Sequence, residues 1–181
     1  KLQTDDLVNS RLQQSILASL SRGIQSAAIN GNGGKGINGL LATAGIKTVA
    51  IATDTSPTWK EVVSMEGEVD SANALEGSLA YLATPKIRSH LKTAAKDAGS
   101  GMMAWNGSIL NGYNATATTD MPTSGLVFGD WSSMMIGMWG GLDLMTDAAA
   151  KAASGGVILR AFQDVGVALK HAESFCKVDH I

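Results

Sequence analysis

Ile29-Asn30-Gly31-Asn32-Gly33-Gly34-Lys35-Gly36-Ile37-Asn38-Gly39-Leu40 is the stretch on which the reading of this chain turns. Within it, Gly31-x-Gly33-x-x-Gly36 matches the glycine pattern of a dinucleotide-binding turn letter for letter. That pattern works only where a strand runs in and a helix leaves, so that the helix N-terminus meets the pyrophosphate. Here the order is reversed. Val8, Leu12, Ile16, Leu20 and Ile24 recur every four residues upstream, with Leu17 beside them, which predicts an amphipathic helix from Thr4 to about Ala28. Asp5 and Asp6 suit the positive end of its dipole, and Arg11, Gln14, Ser15 and Arg22 occupy the opposite face. Lys35 precedes Gly36, so the Gly-Lys-Ser/Thr order of a P-loop is missing. The glycines therefore read as a turn that ends a long helix. A small enzyme binding a nucleotide at Gly31–Gly36 is kept as a rival.

Downstream, Ile46 to Ile51 predicts a short strand, and Asp54 to Pro57 a break. Trp59 to about Asn73 predicts a second helix, with Val62, Met65, Val69 and Ala72 on one face and Gly67 weakening it. Ser78 to Ala83 reads as a buried strand. Thr84-Pro85 then starts a helix, Thr as cap and Pro at the first helical position, with Ile87, Leu91, Ala94 and Ala98 facing inward and Gly99 stopping it. Asn106 to Gly112 reads as a turn-rich link, Tyr113 to Thr119 as a strand, Met121 to Gly125 as a loop, and Leu126 to Asp130 as an apolar segment. Met134–Trp139 and Leu142–Met145 read as two short strands around a Gly140-Gly141 break, Val157 to Leu169 as a long strand, and Phe175 to Ile181 as a last short one. Strands follow helices without a βαβ rhythm, so the expected class is α+β.

Composition narrows the function classes. Of the 181 residues, 45% are hydrophobic and 17% charged, with 21 glycines and a net charge of -2. Such a chain folds, and its sparse charge suggests surface covered by partners. No basic tract marks a nucleic-acid binder. No window reaches ~18 uninterrupted apolar residues and no apolar leader opens the chain, so neither a membrane span nor a secretory signal is expected. Lys1 stands where a start Met would, which reads as a start within a longer sequence. A single cysteine, Cys176, rules out an internal disulfide framework. His171, Cys176 and His180, with Glu173 and Asp179, carry zinc-compatible side chains, but their spacings match no paired-ligand pattern. No Gly-x-Ser-x-Gly elbow occurs. Asn106-Gly-Ser and Asn114-Ala-Thr fit the glycosylation pattern without a secretion signal to support it. Trp105, Trp131, Trp139 and the apolar run Met134, Met135, Met138 read as packing or interface residues. No catalytic, cofactor-binding or metal residues are assigned, and no cofactor.

Taken in order, these segments resemble the tailed-bacteriophage major capsid protein family. The long helix ending in an Asn-Gly turn before Gly39-Leu40 is similar to the stretch after that family's spine helix. Leu82-Ala83-Thr84-Pro85 through Lys92 resembles its Pro-initiated helix, Asp120-Met121-Pro122 its Met-Pro loop, and Leu126-Val127-Phe128-Gly129-Asp130-Trp131-Ser132 its Phe-Gly-Asp segment. Gly156 to Leu169 resembles its long C-terminal strand. Asn114 departs from the family's Pro-like position after Gly112-Tyr113. The family's N-terminal arm, extended loop and any scaffolding-like leader have no counterpart, so the chain is expected to correspond to the C-terminal half or two-thirds of a subunit.

The resemblance implies a peripheral, spine-helix domain from residues 1-36 and 138-172, and an axial domain of mixed sheet flanked by helices from 37-137 and 173-181. It implies a non-enzymatic subunit of an icosahedral phage or prophage head around double-stranded DNA, assembled in the host cytoplasm. Its partners would be copies of itself in pentamers and hexamers, a scaffolding or maturation protease, the portal, and DNA bound without sequence specificity; no membrane is involved. An encapsulin-like bacterial compartment shell subunit is the alternative. Some relatives crosslink subunits through a Lys and an Asn, but Asp147–Gly156 contains no Asn and no crosslink is assigned.

Overall fold

The computed structural model describes residues 6–34, 36–52, 56–97, 99, 101–122, 125–147 and 158–180. Helix α1 runs over Asp6–Asn30, so the predicted start at Thr4 lies outside the described residues. It ends where Gly31 donates its N–H to the Ala27 carbonyl at 2.9 Å. Gly31 also passes so close to Gly39 and Ile37 that a Cβ there would meet the Ile37 carbonyl at 2.4 Å. Only glycine permits that approach.

Seven strands form one mixed sheet: β1 (Lys47–Ile51), β2 (Leu79–Ala83), β3 (Trp105–Asn106), β4 (Ile109–Leu110), β5 (Tyr113–Ala117), β6 (Leu126–Asp130) and β9 (Phe175–His180). Their order is β1-β9-β6-β2-β5-β4-β3. The pairs β1–β9 and β2–β5 are parallel, and β6 runs antiparallel to both β2 and β9. Strand β6 is buried along its whole length, as its apolar sequence requires of a central strand.

Its alternation divides the interior. Phe128 and Leu126 point to one face with Tyr81 and Cys176, beneath helices α2 (Trp59–Asp70) and α3 (Pro85–Thr93). Val62, Met65 and Val69 of α2 and Ile87 and Leu91 of α3 are fully buried there. Val127 and Phe175 point to the other face, with Ile29 from the end of α1, Leu40 and Met121. Thr58 and Glu61 form a capping box on α2, and the Thr84 hydroxyl accepts from the Ile87 N–H on α3.

Strands β7 (Met134–Asp147) and β8 (Ile158–Leu169) stand apart as a two-stranded antiparallel ribbon. The Gly140-Gly141 break expected to separate two short strands is a register shift between Trp139 and Asp143 inside one long strand. A bulge absorbs glycines that would otherwise end the ladder. Two further expectations need correction. Helix α3 stops at Thr93 rather than running to Gly99, because Ala94 turns extended and its carbonyl accepts from the Ala104 N–H. Ala98 lies outside the described residues. The predicted link Asn106–Gly112 is instead two tight hairpin turns, Gly107-Ser108 and Asn111-Gly112, joining β3, β4 and β5. Asn111 and Gly112 both have positive φ, as such a two-residue turn demands.

Candidate functional site

The largest chemical anomaly on this molecule is an apolar surface that stands exposed among the described residues. The sequence Met134-Met135-Ile136-Gly137-Met138-Trp139 places large apolar groups on both faces of β7, and β8 adds Leu159 and Phe162. Met138 is 65% exposed, Trp139 61% and Phe162 52%. On one face the Trp139 ring lies across the paired Gly137 and Gly166, where a Cβ on either would touch it at 2.9 or 2.8 Å. On the other, Met134, Ile136 and Met138 line a groove of roughly 610 Å³ with Ile24, Ala28 and Ile29 of α1. Beyond that groove the stripe on α1 is also exposed, at Leu12 and Leu17.

A two-stranded ribbon is marginal in water on its own. Contiguous exposed apolar patches of more than a few hundred Å² mark interaction surfaces. The Arg160–Asp147 pair, at 3.5 Å and solvent-exposed on the Arg side, adds little. The chemistry available here is burial against another surface.

At the root of the ribbon lies a polar knot. The buried Asp130 carboxylate accepts from the Ser78 N–H at 2.7 Å, the Ser132 N–H at 3.0 Å, and the Ser132 and Ser133 hydroxyls, each at 2.7 Å. Burial alone would raise its pKa; the hydrogen bonds from Ser132, Ser133 and Ser78 outweigh it and hold the carboxyl below the usual range. Gly77, at φ 80°, leaves the room: a Cβ there would lie 2.5 Å from the carboxylate. The knot joins β6, the approach to β2 and the start of β7, and so sets how the ribbon leaves the sheet.

A polar concavity of about 400 Å³ surrounds the knot and also holds His171, Glu173 and Lys170. The Ser132 and Ser133 hydroxyls are spent on Asp130, and the exposed His171 faces Glu173 at 4.0 Å. Neither hydroxyl bonds to a histidine, the contact an activated serine nucleophile needs.

A second polar cluster ties α2 to the sheet. The Glu66 carboxylate accepts from Asn111 Nδ2 at 2.5 Å and from the Tyr113 hydroxyl at 2.7 Å, while the Tyr81 hydroxyl donates to the Val62 carbonyl at 3.1 Å. The hydrogen bond to Glu66, reinforced by burial and the Glu66 charge, pushes Tyr113 up to about 12.

The motifs singled out in the sequence are dispersed. The Gly31, Gly33, Gly36 and Gly39 amides donate to the carbonyls of Ala27, Ile37, Gly33 and Gly31, so none of these four is directed at a phosphate. Lys35 lies outside the described residues. Cys176 is buried in the core, where desolvation pushes its thiol up to about 12, whereas His171 and Glu173 are exposed. The side chain of His180 lies outside the described residues. Among the described residues no group of His, Cys, Asp and Glu is placed to hold a metal ion. No described helix is long and apolar enough to cross a membrane. Asn106 and Asn114 are exposed. The Asp130 knot escaped the sequence reading, whose only trace of it was Asp130-Trp131-Ser132-Ser133, a cap signature without an obvious helix to cap.

Comparison with known proteins agrees with the architecture. The model of the "Phage capsid family" matches residues 2–180. The major capsid protein of Halomonas phage phiHAP-1 is 39% identical over 137 residues, which cover 76% of this chain and 22% of that protein. The chain therefore spans about a fifth of that relative. Among solved structures, the capsid of the native GTA particle superposes with a TM-score of 0.71 at 19% identity, covering 94% of this chain and 64% of that one. Gordonia phage Cozz gives 0.65 at 16% identity, over 96% of this chain and 64% of its own. The holo-SrpI encapsulin complex of Synechococcus elongatus PCC 7942 gives 0.66 at 15% identity, over 97% and 66%. These structures share the fold.

Proposed function

The chain belongs to the phage capsid family, and we propose that it is the shell-forming portion of a phage or prophage head protein, structural rather than catalytic. The observation that carries this is the two-faced apolar ribbon. A surface whose cheapest fate is burial is what a subunit that repeats one contact in closed symmetry requires.

The two sheets support the expected division. Residues 1-36 and 138-172, with the spine helix and most of the ribbon, would form a peripheral unit, and 37-137 and 173-181 an axial unit built on the mixed sheet. Copies of the protein in pentamers and hexamers would be the principal partners. A scaffolding or maturation protease and the portal would act during assembly in the host cytoplasm, and the product would reside in the virion. The near-neutral charge suits an inner wall that encloses DNA without holding its phosphates by counterion release.

An encapsulin-like compartment is the second reading, favoured by the TM-score of 0.66 to such a shell. The 39% identity to a phage major capsid protein weighs the other way. Electron microscopy of the complete gene product, expressed with its neighbouring genes, tests both. Closed shells or capsomer rings filled with DNA support the head reading, and shells holding a protein cargo support the compartment. A uniformly monomeric product refutes both.

A further inference from the structure

Five Asn-Gly dipeptides punctuate the chain, at Asn30, Asn32, Asn38, Asn106 and Asn111. Asn-Gly is the peptide pair most prone to spontaneous deamidation, since a glycine amide meets no side-chain obstruction as it approaches the asparagine carbonyl. The reaction needs two freedoms: the glycine N–H must leave its acceptor, and the asparagine amide must rotate towards it.

At four of the pairs the fold removes one or both. Gly31 donates to the Ala27 carbonyl at 2.9 Å, Gly33 to Ile37 at 3.1 Å and Gly39 to Gly31 at 2.8 Å. Asn111 has its leaving nitrogen held by Glu66 at 2.5 Å, with the Tyr81 hydroxyl at 3.4 Å, and its backbone sits at φ 51°. The fifth pair is different. Asn106 ends β3 and is exposed, and Gly107 opens the two-residue turn to β4 with φ 60° and open space around it. Among the described residues the Gly107 N–H has no acceptor and the Asn106 side chain no partner. The turn is held instead through the Gly107 carbonyl, which accepts from Trp105 Nε1 at 3.0 Å.

We infer that Asn106 is a site of spontaneous self-modification in the folded protein and that the other four pairs are protected by the fold. The Gly107 nitrogen attacks Asn106 Cγ, forming a C–N bond as the Cγ–Nδ2 bond breaks. The Gly107 amide proton passes through solvent to the leaving nitrogen, which departs as ammonia. Water then opens the succinimide at either carbonyl, giving aspartate or isoaspartate. Each event adds a negative charge beside the β3 end of the sheet, and the isoaspartate product also lengthens the main chain by one methylene.

The test is peptide mapping by mass spectrometry of purified full-length protein aged at mildly alkaline pH, folded and in denaturant. In denaturant all five pairs should convert at similar rates. In the folded protein Asn106 should convert within a few-fold of its denatured rate, and the other four about tenfold or more slowly, the factor that one retained hydrogen bond supplies. Asn106→Gln should abolish the fast-forming acidic species seen on isoelectric focusing. Protection of Asn106 equal to that of the others, or faster conversion at Asn30, Asn32, Asn38 or Asn111, would overturn the inference.

Discussion

Replacing Asp130 probes whether a charge-assisted knot holds the ribbon to the sheet. Asp130→Ala removes the acceptor of four donors: the Ser78 and Ser132 N–H groups and the Ser132 and Ser133 hydroxyls. Summing four bonds to a charged group at about 1.5–3 kcal/mol each would overshoot badly. Ser78 and Ser132 are exposed, so their donors turn to water once the carboxylate has gone. Only the Ser133 hydroxyl, buried at 6% exposure, is left stranded. The expected loss is therefore about 3 kcal/mol for Asp130→Ala. For Asp130→Asn, which keeps the shape and an acceptor but loses the charge, it is about 1.5 kcal/mol. The pH dependence separates charge from shape. Because the folded carboxyl titrates below its unfolded value, the unfolded chain takes up its proton first as the pH drops. The wild-type advantage over Asp130→Asn is present above about pH 4, the unfolded value, and vanishes as pH falls through the folded one. Urea unfolding of both proteins across the acid range measures it. A difference that persists unchanged at the most acidic pH would refute the electrostatic account of the knot.

Three other perturbations have defined outcomes. Gly129→Ala would drive a Cβ to 2.4 Å from the Ser174 carbonyl and 2.5 Å from Phe175, with backbone on one side. It should cost about 3 kcal/mol in chemical denaturation, and a near-neutral result would show that β9 can shift away from β6. Both tyrosines are held protonated, Tyr81 mainly by burial and Tyr113 mainly by its bond to Glu66. Stability should hold below about pH 10, the unfolded tyrosine value, and fall as pH rises towards about 12, with phenolate absorbance growing together with unfolding. Phenolate appearing near pH 10 with intact secondary structure would contradict this. Met138→Glu, at an exposed position, should change the stability of the unassembled protein by no more than about 0.5 kcal/mol yet depress shell yield from the complete gene product. Normal shell yield would remove the ribbon from the proposed assembly surface.

Local chemistry alone determined much of this protein. The repeat behind α1, the Thr84-Pro85 start of α3 and the apolar run of β6 rest on residues close in sequence, and among the described residues each falls in an element of the kind its pattern implied. The order of those elements also carried the family resemblance. The Gly31–Gly36 glycines follow helix α1 in the structure as they do in the sequence pattern. Tertiary structure decided what depends on neighbours distant in sequence. Whether Gly140-Gly141 ends a strand or bulges within it depends on β8 supplying a partner on both sides of the break. Whether β9 lies at an edge or in the middle depends on β1 and β6 flanking it, more than 100 and about 50 residues away. The Asp130 knot needs Ser78, 52 residues upstream, to become more than a local cap. The apolar ribbon is the sharpest case. Its sequence reads the same whether it is core or interface, because a hydrophobic pattern says that a surface should be buried but not by which chain. Only the folded arrangement shows that Met138 and Trp139 remain exposed among the described residues.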